Sequence, residues 1–169
     1  MRLKGKVAVI VGAGQSPGER IGNGRATTLR FAQEGAKILA VDRLIASAEE
    51  TAAMATKEGS QCLAFAADVT KEETLAAAIE AARAHWGRID ILHNNVGVSI
   101  AGGDTPLEEL TEEAFDRVCA INLRGTIMAC KHVLPIMRLQ RSGAIINISS
   151  VLRARTAIRS SPTRQPKQR

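Results

Sequence analysis

The sequence predicts an α/β fold, a doubly wound parallel sheet in three α/β/α layers. Three observations carry that expectation. Short apolar runs recur at residues 7–11, 37–41, 61–66, 89–93 and 144–148, a helical pattern follows each of the first four, and the first run breaks into glycines. Strand and helix alternating in this way build right-handed βαβ units, whose ligands sit at the carboxyl ends of the strands.

The first run, VAVIV, is continuously apolar and β-branched, as suits a strand covered on both faces. It opens the stretch VAVIVGAGQSPGERIGNG, residues 7–24, after which a helical pattern begins. Glycines there let the backbone turn sharply and approach a pyrophosphate with no Cβ in the way. The helix start then directs free N–H groups at the anion. Glycines also mark ordinary turns, so the stretch by itself leaves both readings open. Two registers fit it, one through Gly12, Gly22 and Gly24 and one through Gly12, Gly14 and Gly18. The first is preferred, because the helical pattern starts at Gly24.

That helix is expected to run to about residue 34 with Leu29 and Ala32 inward, and Gly35 ends it. Asp42 closes the second run, eighteen residues after Gly24. A carboxylate at such a place accepts hydrogen bonds from ribose hydroxyls and repels a 2′-phosphate, which favours NAD over NADP. The alternatives are a helix N-cap or a solvated loop acid, and the adjacent Arg43 keeps the cofactor choice open.

Residues 44–58 are alanine-rich and helical, and Gly59 stops them. After the third run, Asp68-Val69-Thr70 leads into a helix through residue 85, with Thr70 and Glu73 spaced as a capping box. The fourth run is followed by Asn94-Asn95-Val96-Gly97 and a glycine-rich loop over residues 99–106. A capping box at Thr111 and Ala114 opens a helix over residues 111–121. A longer helix is expected over residues 123–139, broken by Gly143 before the fifth run.

Composition narrows the function. The 169 residues carry a formal charge of +6, but Arg153, Arg155, Arg159, Arg164, Lys167 and Arg169 face no acid within residues 151–169. The first 150 residues hold 17 basic and 17 acidic side chains. Basicity confined to a tail, with aromatics at 2%, gives no stacking platform or basic face for nucleic acid. No leader and no apolar span near twenty residues is evident, so the chain reads as soluble and cytoplasmic, with no membrane partner. Cys62, Cys119 and Cys130 are odd in number and lack CxxC spacing, which points to reduced structural thiols. His93 and His132 have no partner set, and His85 stands beside Trp86, so no metal is expected.

In order and spacing these motifs resemble the short-chain dehydrogenase/reductase family over residues 1 to about 150. The motifs are Gly22-Asn23-Gly24, Asp42, Asp68-Val69, Asn94-Asn95-Val96-Gly97, Asn122-Leu123 and Asn147-Ile148-Ser149-Ser150. The resemblance implies a Rossmann-type NAD(P)-binding domain, 1–150, and an oxidoreductase moving hydride between a nicotinamide and a small alcohol or carbonyl substrate. It also implies a homo-oligomer built on long helices. By it, Gly12, Gly22 and Gly24 approach the phosphates, Asp42 holds the ribose, and Asp68 with Val69 brackets the adenine. Asn95 and Gly97 line the nicotinamide side, and Asn94 supports the strand ends. Val96 stands where the family has alanine. Nine residues separate Gly12 from Gly22, where the family has three between its first glycine and the GxG pair.

For catalysis the resemblance implies a Tyr whose acidity is raised by a Lys four residues on, with a Ser polarising the carbonyl and an Asn supporting a proton relay. Ser150 and Asn122 match the last two. On residue chemistry alone they read as a strand-end cap and a satisfied helix amide. The Tyr belongs near position 163, which is Thr163, and the chain holds no Tyr at all. Lys167 has the right spacing, but Pro162 and Pro166 disfavour the helix that would put it on the same face. Residues 151–169 read as a basic, disordered tail. The expectation is a family member truncated after its fifth strand, incomplete on that side of the sheet and inactive. Its alternative is a non-catalytic dinucleotide-binding or interaction module.

Overall fold

A computed structural model describes residues 1–15, 18, 20–99 and 106–149. In chain order the elements are β1 (Val7–Val11), α1 (Asn23–Gln33), β2 (Lys37–Asp42), α2 (Ile45–Lys57), β3 (Cys62–Ala66), α3 (Glu72–Trp86), β4 (Ile91–Asn94), α4 (Glu112–Val118), α5 (Gly125–Gln140) and β5 (Ala144–Asn147). A 3-10 turn, Leu107–Glu109, precedes α4, and a π-helical turn, Cys119–Arg124, joins α4 to α5.

All five strands are parallel, in the order β3-β2-β1-β4-β5. Every residue of β1 is buried, because strands flank it on both sides and helices cover both faces. Alternate residues divide between two cores. Val9, Val11, Leu39, Val41 and Leu92 pack with Leu75 and Ile79 of α3 and Ala129, Val133 and Met137 of α5. Ile10, Ile38 and Ala40 pack on the other face with Ala32 of α1 and Ala55 of α2. Each fully buried aliphatic side chain contributes about 1.5–3 kcal/mol. The sheet is thus doubly wound, of Rossmann type, in three α/β/α layers. Chain direction across it reverses between β1 and β4, where the carboxyl ends open a crevice.

At the opposite ends of the strands Asp90 ties three of them together. Its backbone N–H donates to Val7 O at 2.8 Å, its carboxylate accepts from Val7 N–H at 2.9 Å, and its carbonyl accepts from Ala144 N–H at 2.8 Å. Burial pushes the Asp90 carboxyl upward, but the Arg88 ion pair at 2.6 Å, the Val7 N–H and Lys6 outweigh it and hold it low. Gly35 and Gly59 end their helices with φ of 85° and 89°, a region that residues with a Cβ rarely adopt.

Two local expectations differ from the structure. The N-cap of α3 is Lys71, not Thr70, and no side chain caps it; Thr70 instead donates its N–H and hydroxyl to Asp68 Oδ1 at 2.9 and 2.7 Å. These bonds fold Asp68 to Thr70 into a side-chain-closed turn that leaves Thr70 one residue ahead of the cap position. The second difference is the break expected near residue 122. Helical backbone runs from Glu112 to Gln140 through the π turn, which absorbs a surplus residue without ending the helix. Capping of α4 is as the sequence reads, with Thr111 Oγ1 accepting from Ala114 N–H at 3.2 Å.

His93 lies on β4 in register with Ile10, 4% exposed, edge-on to Phe31 of α1. Burial pushes its pKa below the usual 6.5, and among the described residues Nδ1 has no hydrogen-bond partner, so folding favours the neutral ring. A base whose pKa is lowered by folding stabilises the fold above its unfolded value and loses that contribution as pH falls below it. Melting temperatures between pH 7 and pH 5 are therefore expected to fall more steeply for the parent chain than for His93→Leu. Parallel curves would exclude this role.

Candidate functional site

The crevice begins where β1 ends. Gly12 turns with φ of 82°, and its N–H and that of Ala13 both donate to Val41 O, at 2.8 and 2.9 Å. A Cβ on Gly12 would stand 2.8 Å from Val96 Cγ2 and 3.1 Å from Val96 N. Gly24, in the first turn of α1, rests directly on the carbonyl of Gly12. A Cβ there would overlap that oxygen and stand 2.8 Å from Asn95 Nδ2. Asn95 donates its side-chain N–H to Gly12 O at 3.1 Å and its backbone N–H to Val11 O at 2.9 Å. Gly12, Gly24 and Asn95 therefore form one knot at the switch point.

Gly22 is the N-cap of α1, and its N–H donates to Gln15 Oε1 at 2.7 Å. At the end of β2, Asp42 accepts from Gly14 N–H through Oδ2 and from Leu44 N–H through Oδ1, both at 3.0 Å. A Cβ on Gly14 would fall 2.6 Å from Asp42 Oδ2 and 2.7 Å from Ser47 Oγ. Gly18, of the other register, has nothing within 4 Å of such a Cβ. Asp68 is held below the usual carboxylate range by the Thr70 N–H and hydroxyl, which outweigh the upward push of burial, with Lys71 and Arg43 adding smaller contributions.

Val69 meets the start of α5, where a Cβ on Gly125 would lie 2.9 Å from both Val69 Cβ and Val69 O. Asn94 Nδ2 bonds Asn147 Oδ1 at 2.9 Å and Asn94 O accepts from Ile148 N–H, so β4 holds the end of β5. Asn122 sits in the π turn. Its Oδ1 accepts from Val98 N–H at 2.9 Å and its Nδ2 donates to Val98 O at 2.8 Å, pinning the segment after β4. Gly97 lies beside it, 3.9 Å from Asn122 Oδ1 by a built Cβ. Ser150 and residues 151–169 lie outside the described residues, as do residues 100–105 of the expected glycine-rich loop.

These elements enclose a cleft of about 220 Å³ at the carboxyl ends of the strands. Gly12, Asp42 and Val69 border it, with Val11, Arg43, Ala67, Val96, Val98, Arg117 and Ile121. The result is an apolar slot with one carboxylate and two guanidinium groups at its edge. Gly22, Gly24, Asp68, Asn94, Asn95, Gly97 and Asn122 are not lining residues; they fix the backbone from which the cleft is made. Arg117 and Ile121 escape a sequence reading, because the π turn between α4 and α5 disrupts the helical phase that would place them. Gly125 is equally hidden inside an ordinary helical pattern.

The model for the short chain dehydrogenase family matches residues 6–161. The chain belongs to that family. Among its relatives, levodione reductase of Leifsonia aquatica is 38% identical over 154 residues, a match covering 89% of this chain and 54% of the relative. The 3-oxoacyl-acyl-carrier-protein reductase FabG of Thermotoga maritima is 36% identical over 152 residues, covering 90% and 58%. A crystal structure of NAD+-bound xylitol dehydrogenase superposes with a TM-score of 0.77 at 32% identity, covering 86% of this chain and 53% of that one. The chain spans about half the length of the curated relatives it matches. The described residues carry the glycine turn and a five-stranded parallel sheet. Among them no helix is long and apolar enough to cross a membrane, and no group of three His, Cys, Asp or Glu gathers to hold a metal ion.

Gly24→Ala is expected to be costly, since the atoms in its way are backbone. A loss of about 2–3 kcal/mol in urea unfolding is expected. The same substitution at Gly97, where an added Cβ would meet only Asn122 Oδ1 at an ordinary 3.9 Å, serves as the comparison. Equal midpoints for the two variants would refute the knot.

Proposed function

We propose that this chain is by lineage an NAD-dependent oxidoreductase and that, as these 169 residues alone, it binds the dinucleotide without appreciable turnover. The observation carrying the reading is Asp42, at the end of β2 on the lip of a cleft whose other wall is the Gly12 turn.

The residues present fit a dinucleotide. Internal packing excludes a Cβ at Gly12, against Val96, and at Gly24, against the Gly12 carbonyl, and this close approach holds the start of α1 and its free N–H groups over the end of β1, where a pyrophosphate is received. Asp42 uses one hydrogen bond on each oxygen, and each oxygen keeps lone-pair capacity for a ribose hydroxyl. Its charge disfavours a 2′-phosphate, which supports NAD over NADP, while Arg43 and Arg117 at the same cleft work the other way. Val69 and Ile121 offer apolar walls to the adenine, and Asp68, tied to Thr70, holds the β3–α3 turn that carries Val69.

A bound nicotinamide supplies or takes the hydride. What remains for the protein is the proton of the alcohol or carbonyl. Asn122 holds Val98 through both the oxygen and the nitrogen of its carboxamide, which keeps the segment after β4 against the π turn. Ser150, by family analogy, polarises the substrate oxygen. Giving or taking the proton near neutral pH needs an acidic hydroxyl, and the chain contains no Tyr. A threonine hydroxyl lacks a phenol's acidity, so Thr163 does not replace it. A second reading, a binding module with no catalytic role, is favoured by the same absence.

Calorimetry is expected to show NAD binding more tightly than NADP, with Asp42→Ala abolishing that preference. Nicotinamide absorbance over a panel of small alcohols and carbonyls is expected to stay flat. Turnover by the 169-residue chain would overturn the inactive reading, and tighter binding of NADP would overturn the role given to Asp42.

A further inference from the structure

Between Gly12 and Gly22 this chain carries nine residues, and the enlarged loop is tied both to α2 and, through one side chain, across its own span. At the near end, Gln15 donates its backbone N–H to Ser47 Oγ at 2.7 Å, and Ser47 Oγ lies 3.4 Å from Gln15 O. The Gln15 side chain then crosses to the far end. Its Oε1 accepts from Gly22 N–H at 2.7 Å and its Nε2 donates to Arg20 O at 2.8 Å. One helical turn beyond Ser47, Thr51 Oγ1 donates to Ser47 O at 3.0 Å and accepts from Arg25 Nε at 2.9 Å. Arg25 directly follows Gly24 and is 7% exposed, and its other arm reaches Glu50 at 2.6 Å. The bonds close a ring that runs from Gln15 through Ser47, Thr51 and Arg25 back to Gly22.

We infer that this ring is a positioning device for the phosphate end of the cofactor cleft, with Gln15 and Ser47 as its positioning residues. A short glycine turn is held by its own geometry. A long one has many conformations to lose, and cross-bracing removes them before a ligand arrives. The Gln15 carboxamide spans the insertion and fixes the N-cap of α1, while the buried Arg25–Thr51 bond fixes the first turn that follows. Gly22 to Gly24 are thereby presented in one orientation over the end of β1.

This inference rests on the dinucleotide reading above, and the test separates the two. ADP-ribose carries adenosine and pyrophosphate; adenosine lacks the phosphates. In calorimetry with ADP-ribose, and NMR titration with adenosine, Gln15→Ala and Ser47→Ala are each expected to weaken ADP-ribose about three- to tenfold, as for one lost hydrogen bond, with adenosine unchanged. Ser47→Thr keeps the hydroxyl and is expected to match the parent. The double alanine variant is expected to lose less than the product of the single losses, because both break one chain of bonds. Parent-like ADP-ribose affinity in both single variants, alongside weakening by Asp42→Ala, would overturn the brace and leave the cofactor site standing. Equal losses for adenosine and ADP-ribose would mark general damage and also overturn it. A parent chain that binds no ADP-ribose would overturn the cofactor reading and the brace together.

Discussion

The contact on which the rest depends is the seat of Gly24 on the carbonyl of Gly12. It fixes how closely α1 approaches the end of β1, and nothing larger than a hydrogen fits between them. Because Asn95 bonds the same carbonyl, the contact also fixes where the chain leaves β4. Two strand ends and one helix start are set by a single oxygen atom. The crevice at the switch point is the space left over, and its shape follows from backbone rather than from adaptable side chains.

Burial explains why this arrangement is firm. β1 is buried along its whole length, and its neighbours present alternate residues to two separate helix layers. At the amino ends of the strands Asp90 gathers Val7 and Ala144, so the sheet is pinned at the end away from the cleft. At the cleft end the pinning is done by amides, Asn94 to Asn147 and Asn122 to Val98. Amide groups suit that role, since they donate and accept at once and carry no charge that would compete with a ligand's. Farther out the cover thins. Among the described residues β5 pairs only with β4, and Ile146, Ile148, Ile127 and Leu123 are exposed.

Much of this was legible in the sequence, and the reason is periodicity. The runs at 7–11 and 37–41 matched strands to within one residue, because fully buried parallel strands leave continuous apolar text. Asp42, closing β2, was equally visible by its place at the end of such a run. What escaped were features set by contacts distant in sequence. The capping box at Thr70 failed because the turn closed by Asp68 places Thr70 one residue before the cap, Lys71. Gly125 looks like any helical glycine until Val69 is found against it. Gln15 and Ser47 are 32 residues apart and of ordinary type, so no local pattern could have joined them.

The π turn has a consequence for the helix that contains it. One surplus residue turns everything after it by about 100° relative to an unbroken α-helix. Beyond the turn, Gly125, Ala129, Val133 and Met137 recur every fourth residue and are buried, the last three in the core beneath the sheet. Before it, Arg117 addresses the cleft, and within it Asn122 reaches the segment after β4. A straight helix has one angular phase and must compromise between such neighbours. The turn gives this helix two phases, so the half that answers to the core and the half that answers to the cleft can each change sequence without dragging the other out of alignment.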